Sequence, residues 1–458
     1  MEIDLSRKLP TANKRMLTIA RTFILLQIFL ATWLGSGTRT EFLMPMFFTA
    51  VGVFAFTYLS GAMKAENAYC KALLVAVIYF ILVCAIQYLN PFSEYIEGER
   101  FSIVKSLRYI TWLPTSVIGS FGEGNSMRSL AILLSSFLTT ISACILFRST
   151  RFAFAALAWF VFNVSAMGLW AVYQKYVQMP AVYGFLYSDS GYYGSFFLSN
   201  AAGTFLNMGI SAAFVLMVVS CKIDSRFKFF YILFSVISAV ACTVASLYSE
   251  SRAAQILCFA IWGVFAISIY YKVIMHFDTT VVGKTVFFVT TTIIIVVVAA
   301  VAMDFYYSKG KFRKEVSDSS FGRVEMYKKI YPQIYEHPIW GNGGECSRYV
   351  LPKVVLNFPN GIDGIPRKPD RPHSDIIEYI LDYGIVGGII FAYCGVALGY
   401  VIFKYRRRLG ICNLYILAGV GACFSNGVFD MEMHIPSVML IFGLMTVWAY
   451  KDFRRIWH

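Results

Sequence analysis

Residues 228–271 read KFFYILFSVISAVACTVASLYSESRAAQILCFAIWGVFAISIYY, largely apolar after Lys228 apart from the polar break Tyr248-Ser249-Glu250-Ser251-Arg252 at the middle. One helix of that length would overrun the ~30 Å hydrocarbon core of a bilayer, which takes about 20 residues. The polar break therefore predicts two membrane-spanning helices joined by a tight corner. In lipid, backbone polar groups must be satisfied within helices or a closed barrel. The apolar runs are continuous rather than alternating, so they predict helices.

Working outward, similar runs recur at 17–35, 41–63, 70–90, 128–147, 152–174, 194–220, 285–307, 385–403, 410–429 and 434–450. The expected fold is all-α: a polytopic membrane protein of about twelve spans with one large periplasmic loop. Residues 1–307 would hold spans one to nine, 308–384 the loop and an amphipathic helix, and 385–458 the last three spans. The run at 17–35 ends in small residues like a secretory signal, but the long segment before it and the spans after it predict an uncleaved first helix. Composition agrees: the 458 residues are 58% hydrophobic and only 14% charged, with a mean hydropathy of +0.63.

The formal net charge of +14 would suggest nucleic acid as a partner in a soluble chain. Here the basic residues collect in alternate connections: Lys64 and Lys71, Arg148 and Arg151, Lys222 and Lys228, Lys272 and Lys284, Lys404 to Arg408. That is a positive-inside pattern and predicts both termini in the cytoplasm, with membrane lipids rather than nucleic acid as surroundings. Most of the ten Cys, such as Cys84, Cys144, Cys242 and Cys394, fall inside spans as small apolar residues. Cys346 alone lies in the large loop, so no disulfide framework or metal spacing is present.

Three outward segments exceed a simple turn. In 91–127 the stretch from Ile103 to Ile110 predicts an interfacial helix. Residues 175–193 are rich in Tyr and Gly, which suits a loop at the membrane interface. Residues 308–373 hold seven of the thirteen prolines and should be largely irregular, with one helical piece near 322–336.

Five His exist, and topology assigns His276 and His458 to the cytoplasm. His373 closes a Pro-rich approach and precedes Ser374-Asp375-Ile376-Ile377-Glu378, the start of a short amphipathic helix. Ser374 suits an N-cap, Asp375 and Glu378 suit the positive end of the helix dipole, and Gly384 suits its stop. An imidazole there can cap a helix or act as a general base. Arg252 opens a span at the external side; it can snorkel to headgroups or pair bidentately with phosphate. The run Gly341-Asn342-Gly343-Gly344 lacks the tail of a nucleotide-binding loop and predicts a turn through which backbone passes close to its neighbours. His337, before Pro338, reads as structural. Asp430, Glu432 and His434 are too few for a convincing metal site and read as a hydrogen-bonded loop. No Asp-x-Asp pair, Walker motif or HExxH is present, and external chemistry has no ready access to cytoplasmic nucleotides, so an external transferase would need a lipid-carried donor; no cofactor is expected.

The run His373-Ser374, nine residues, Gly384, two residues, Gly387 resembles the signature of the O-antigen ligase and polymerase superfamily. Arg323, with Tyr327 four residues on and Pro338-Ile339-Trp340-Gly341-Asn342-Gly343 after it, is similar to that family's loop segment, and Ser251-Arg252-Ala253 to its Ser-Arg-small motif. Glu250 is a departure, placed where it could pair with Arg252. The resemblance implies a metal-independent glycosyltransferase at the periplasmic face of a bacterial inner membrane, taking its glycan from undecaprenyl pyrophosphate. Arg252 and Arg323 would bind the pyrophosphate, and His373 would deprotonate or orient the acceptor hydroxyl. Ser374, Gly384 and Gly387 would support the motif. The acceptor would be lipid A-core oligosaccharide in a ligase or a second lipid-linked glycan in a polymerase, with the ligase favoured by the single major loop. A transporter of about twelve spans is the competing class, but the spans hold few charges and no inverted repeat. A cell-wall polymerase of the shape-and-division type would lack the His-Ser signature.

Overall fold

The computed structural model of the chain describes residues 13–63, 67–97, 102–122, 124–186, 192–222, 226–275, 326–354 and 371–451. The first three helices are α1 (Lys14–Trp33), α2 (Thr40–Leu59) and α3 (Ala68–Leu89). Strands β1 (Pro91–Glu97), β2 (Ser102–Ser106) and β3 (Ser116–Ile118) follow. Then come α4 (Ser126–Leu146), α5 (Thr150–Tyr176), α6 (Ser199–Ser220), α7 (Lys228–Tyr248) and α8 (Arg252–Met275). Helix α9 includes residues 326–336. The chain closes with α10 (Ser347–Val354), α11 (Asp375–Tyr405), α12 (Ile411–Phe429) and α13 (Pro436–Trp448).

Among the described residues, ten helices are long and apolar enough to cross a membrane: α1 to α8, α11 and α12. Helix α13, in the last predicted span, is shorter at 13 residues. The predicted span at 285–307 lies outside the described residues. The corner between α7 and α8 falls at Ser249-Glu250-Ser251, and Glu250 turns it with a φ of 62°.

Two helices are enclosed by the others. Helix α4 is buried along its membrane-length window and packs against α2, α3 and α13. Helix α6 is almost as fully buried, ringed by α5, α7, α8 and α12. Their composition explains this. Helix α4 carries Ser135, Ser136, Thr139, Thr140 and Ser142, whose hydroxyls bond back to backbone or across to Met439 O of α13 at 2.9 Å. Small hydroxyl residues satisfied in this way let helices approach closely where lipid supplies no driving force. In α6, Gly203 meets Ala254 of α8 and Gly209 meets Val164 of α5 so closely that a Cβ at either would collide.

The expected interfacial helix at Ile103–Ile110 is not formed. Residues 102–106 are strand β2, paired antiparallel with β1 from Ser93↔Ser106 to Glu97↔Ser102, while β3 runs parallel on the other side of β1. Ile103 and Val104 are β-branched, and β1 offers Phe92, Tyr95 and Ile96, so a pleated surface suits both segments better than a lone helix turn. Tyr95 packs on Tyr349 of α10, with ring centroids 4.7 Å apart. The sheet thus joins 91–118 to the large loop. Helix α10 in that loop, where the prolines predicted irregular chain, is a further departure.

Candidate functional site

Helices α6, α8, α11 and α13 begin, and α5, α7 and α12 end, at one end of the bundle, and the first turns of α6 are the hub there. Asn200 Nδ2 donates to Asp430 Oδ2 at 2.6 Å. Asp430 Oδ1 receives the backbone N–H of Met431 at 3.0 Å and faces His373 Nδ1 at 3.2 Å. The carbonyl of His373 accepts from Tyr327 Oη at 3.0 Å, and Asp375 N–H donates to the Asp430 carbonyl at 3.1 Å. His373 is thereby held in the left-handed region, with a φ of 51°. Its side chain remains 38% exposed, so the ring is fixed at one nitrogen and open to a ligand.

Ser374 takes the predicted N-cap position, but its hydroxyl makes no capping bond; its carbonyl receives Glu378 N–H instead. Asp375 and Glu378 lie in the first turn as expected, but both are buried. Gly384 ends the first helical segment of α11 as expected, with φ 63° and ψ −164°, and a second segment starts directly after it. The interruption exposes backbone that the Gly-rich loop takes up. Asn342 N–H bonds Leu381 O, Gly343 N–H bonds Asp382 O, and Ile385 N–H bonds Pro338 O, at 2.8 to 2.9 Å. A Cβ on Gly384 would strike the Ile339 carbonyl, and one on Gly341 the Asp382 carbonyl. Gly387 packs against Tyr383 just as closely.

Behind His373 is a buried charge network. Glu345 bonds Arg128 Nη1 of α4 at 2.8 Å and Arg371 Nη2 at 2.8 Å, and Arg371 Nη1 bonds Glu378 at 2.7 Å. Glu345 N–H donates to Asp382 at 2.8 Å, and His434 Nδ1 meets Asp375 at 2.9 Å. Burial alone would raise the Glu345 carboxyl, but the guanidiniums of Arg128 and Arg371 hold it down at about 2. Burial would lower the His434 imidazole, yet Glu378 and Asp375 reverse this and raise it. Glu432, bonded to Asn426 at 2.8 Å, is pushed well up by burial. The Asp430–Glu432–His434 cluster is thus shared out among different partners. Among the described residues, Glu378, Asp382 and His434 could instead hold a metal ion, with ligand atoms within 4.8 Å of one another.

Arg252 is the first residue of α8, and Ser251 caps the helix by accepting Ala254 N–H at 3.3 Å. Glu250, the departure from the family motif, pairs with Lys175 Nζ at 2.5 Å. The corner at Ser249 and Ala254 lies against Gly203, one turn along α6 from the Asn200 that holds Asp430. Arg252 and His373 therefore flank the same first turns of α6. Arg323 lies outside the described residues. His337 packs on Phe92 in a tilted ring pair, with centroids 5.1 Å apart, and burial lowers its pKa against the pull of Glu336, so it packs the loop onto the sheet.

Residues 237–392 match the family model described as O-antigen ligase. Across these residues the chain is similar to the O-antigen ligase superfamily. No curated protein matches the chain.

The superfamily match contains Arg252, Arg323, His373, Gly384 and Gly387 and stops before Asp430. Asn200 and Asp430, which fix the His373 ring, lie on either side of it in the chain. Asp430 was read from sequence only as part of a hydrogen-bonded loop, since no spacing links it to a His 57 residues away, and Asn200 was missed. Arg128, Glu345 and Arg371 were missed as well. Their one signal is Arg128 itself, a cation at the head of an otherwise apolar span.

Proposed function

We propose that this protein transfers a glycan from undecaprenyl pyrophosphate to a hydroxyl of lipid A-core oligosaccharide at the periplasmic face of the inner membrane. The observation that carries the reading is the His373 ring, bonded through Nδ1 to a buried carboxylate and otherwise open at the loop end of the bundle. With Nδ1–H donated to Asp430, Nε2 keeps its lone pair and can take the proton of an acceptor hydroxyl as its oxygen attacks the anomeric carbon. The bond to the pyrophosphate oxygen breaks, and undecaprenyl pyrophosphate leaves as an anion. Arg252 and Arg323 would neutralise that charge, so no strong acid is required. The basic connections at the opposite end of the bundle support cytoplasmic termini.

The reaction is proposed to need no metal. Glu378, Asp382 and His434 each give one atom to a protein partner, but Glu378 Oε2, Asp382 Oδ1 and His434 Nε2 have no hydrogen-bond partner among the described residues, so chelation is the direct test. The test is transfer by purified protein in detergent with EDTA, using an undecaprenyl-pyrophosphate glycan with and without lipid A-core. Product should form with lipid A-core. His373→Ala should lower the rate by at least about 10²-fold while the protein stays folded, and Arg252→Ala should mainly raise the donor KM. Lengthened lipid-linked chains without added acceptor would make the enzyme a polymerase. Loss of activity in EDTA would overturn metal independence, and transport without product would move the protein to another class.

A further inference from the structure

A cavity of about 430 Å³ opens at the same end of the bundle, within the ~300–1,000 Å³ usual for small-molecule sites. The last turn of α5 supplies Gln174 and Lys175, the chain just beyond it Gln178, the approach to α6 Tyr192, and the α7–α8 corner Tyr248 and Glu250. Its wall also includes Ser249, three residues before Arg252, and Ser199, next to the Asn200 that holds Asp430. The cavity therefore adjoins both candidate elements of the site.

Gln174 is the informative residue. It is 3% exposed, yet neither Oε1 nor Nε2 has a hydrogen-bond partner among the described residues. Buried amides are nearly always satisfied, so one that lines a cavity unpaired points to a ligand that completes it. A primary amide presents a donor and an acceptor side by side, which matches two adjacent hydroxyls. Tyr192 and Tyr248 add flat faces for the C–H side of a ring. The cation in the wall, Lys175, is paired with Glu250, so the cavity does not favour an anion. Its polar groups do not suit a polyprenyl chain either.

We infer that this cavity is a pyranose subsite in which Gln174 grips two adjacent ring hydroxyls, from the donor glycan or from the acceptor. Its role in catalysis rests on the glycan-transfer reading; its affinity for sugar does not.

The test uses Gln174→Leu and, at the exposed rim, Tyr248→Ala. Because the amide is unpaired, Gln174→Leu should melt no lower than the parent. Saturation-transfer NMR with free glucose, galactose and N-acetylglucosamine should give a signal with the parent and a severalfold weaker one with both variants. Affinity is then measured for undecaprenyl pyrophosphate with and without its glycan, together with the acceptor KM. A loss of about tenfold for the glycosylated lipid alone assigns a donor ring; the same rise in acceptor KM alone assigns an acceptor ring. A sugar signal that the variants abolish, in a parent that forms no product, would keep the subsite and reject the transfer reading. No saturation transfer in the parent, or equal transfer in all three proteins, would overturn the subsite.

Discussion

His373 occupies backbone space that costs a residue with a side chain on the order of 1–3 kcal/mol, and it does so at φ 51°. The bonds from Tyr327 and to Asp430 hold it there. Asp430 is accordingly a positioning residue, and Asp430→Asn is the informative change. An amide can offer N–H to Nδ1 and so favour the tautomer whose Nε2 carries the proton. The expected outcome is a fall in kcat on the order of 10²-fold with both KM values nearly unchanged. Equal kcat in the folded variant would remove Asp430 from the mechanism. The sequence made His373 legible because it opens an amphipathic helix after a Pro-rich approach. Its partner was not legible: Asp430 has two acidic or basic neighbours, Glu432 and His434, and the three read as one cluster when each has a different partner in space.

At the scale of elements, α11 is two helices in one. Residues 375–383 carry the buried acids, the remainder is apolar, and Gly384 joins them with its φ of 63°. The loop at 338–343 is stitched into that joint, so Gly384→Ala would clash with Ile339 O and separate the loop from the helix. The variant should lose most transfer activity and gain protease cleavage near Trp340; intact loop protection with full activity would sink this reading. The glycines were legible as a break and a close passage because only glycine tolerates such a backbone. The sheet was not. Helix and strand periods are hard to separate over a segment as short as 102–106, and pairing with β1 decided between them.

The whole molecule is tied together by the network of Arg128, Glu345, Arg371 and Glu378, which clamps the loop to α4 and α11. Glu345 has a folded-state pKa of about 2 against an ordinary 4.5, so its stabilisation is complete above 4.5 and drains away as pH falls towards 2. Melting of the purified protein should weaken across that window. Glu345→Gln should flatten the dependence there while costing on the order of 3 kcal/mol at neutral pH, because two guanidiniums lose a buried partner. A parallel pH profile in parent and variant would exclude Glu345 as the cause. The span pattern was legible from hydropathy, since lipid imposes length and polarity on each helix separately. Which helices lie innermost was not, because α4 and α6 satisfy the same length rule as their neighbours.

That enclosure also bears on the order of assembly. Helices α4 and α6 emerge from the ribosome well before two of the helices that cover them, α12 and α13. Until then the hydroxyl-rich flank of α4 that meets Met439 has only lipid or the insertion machinery beside it. The core around α4 and α6 is therefore closed only once α12 and α13 have been made.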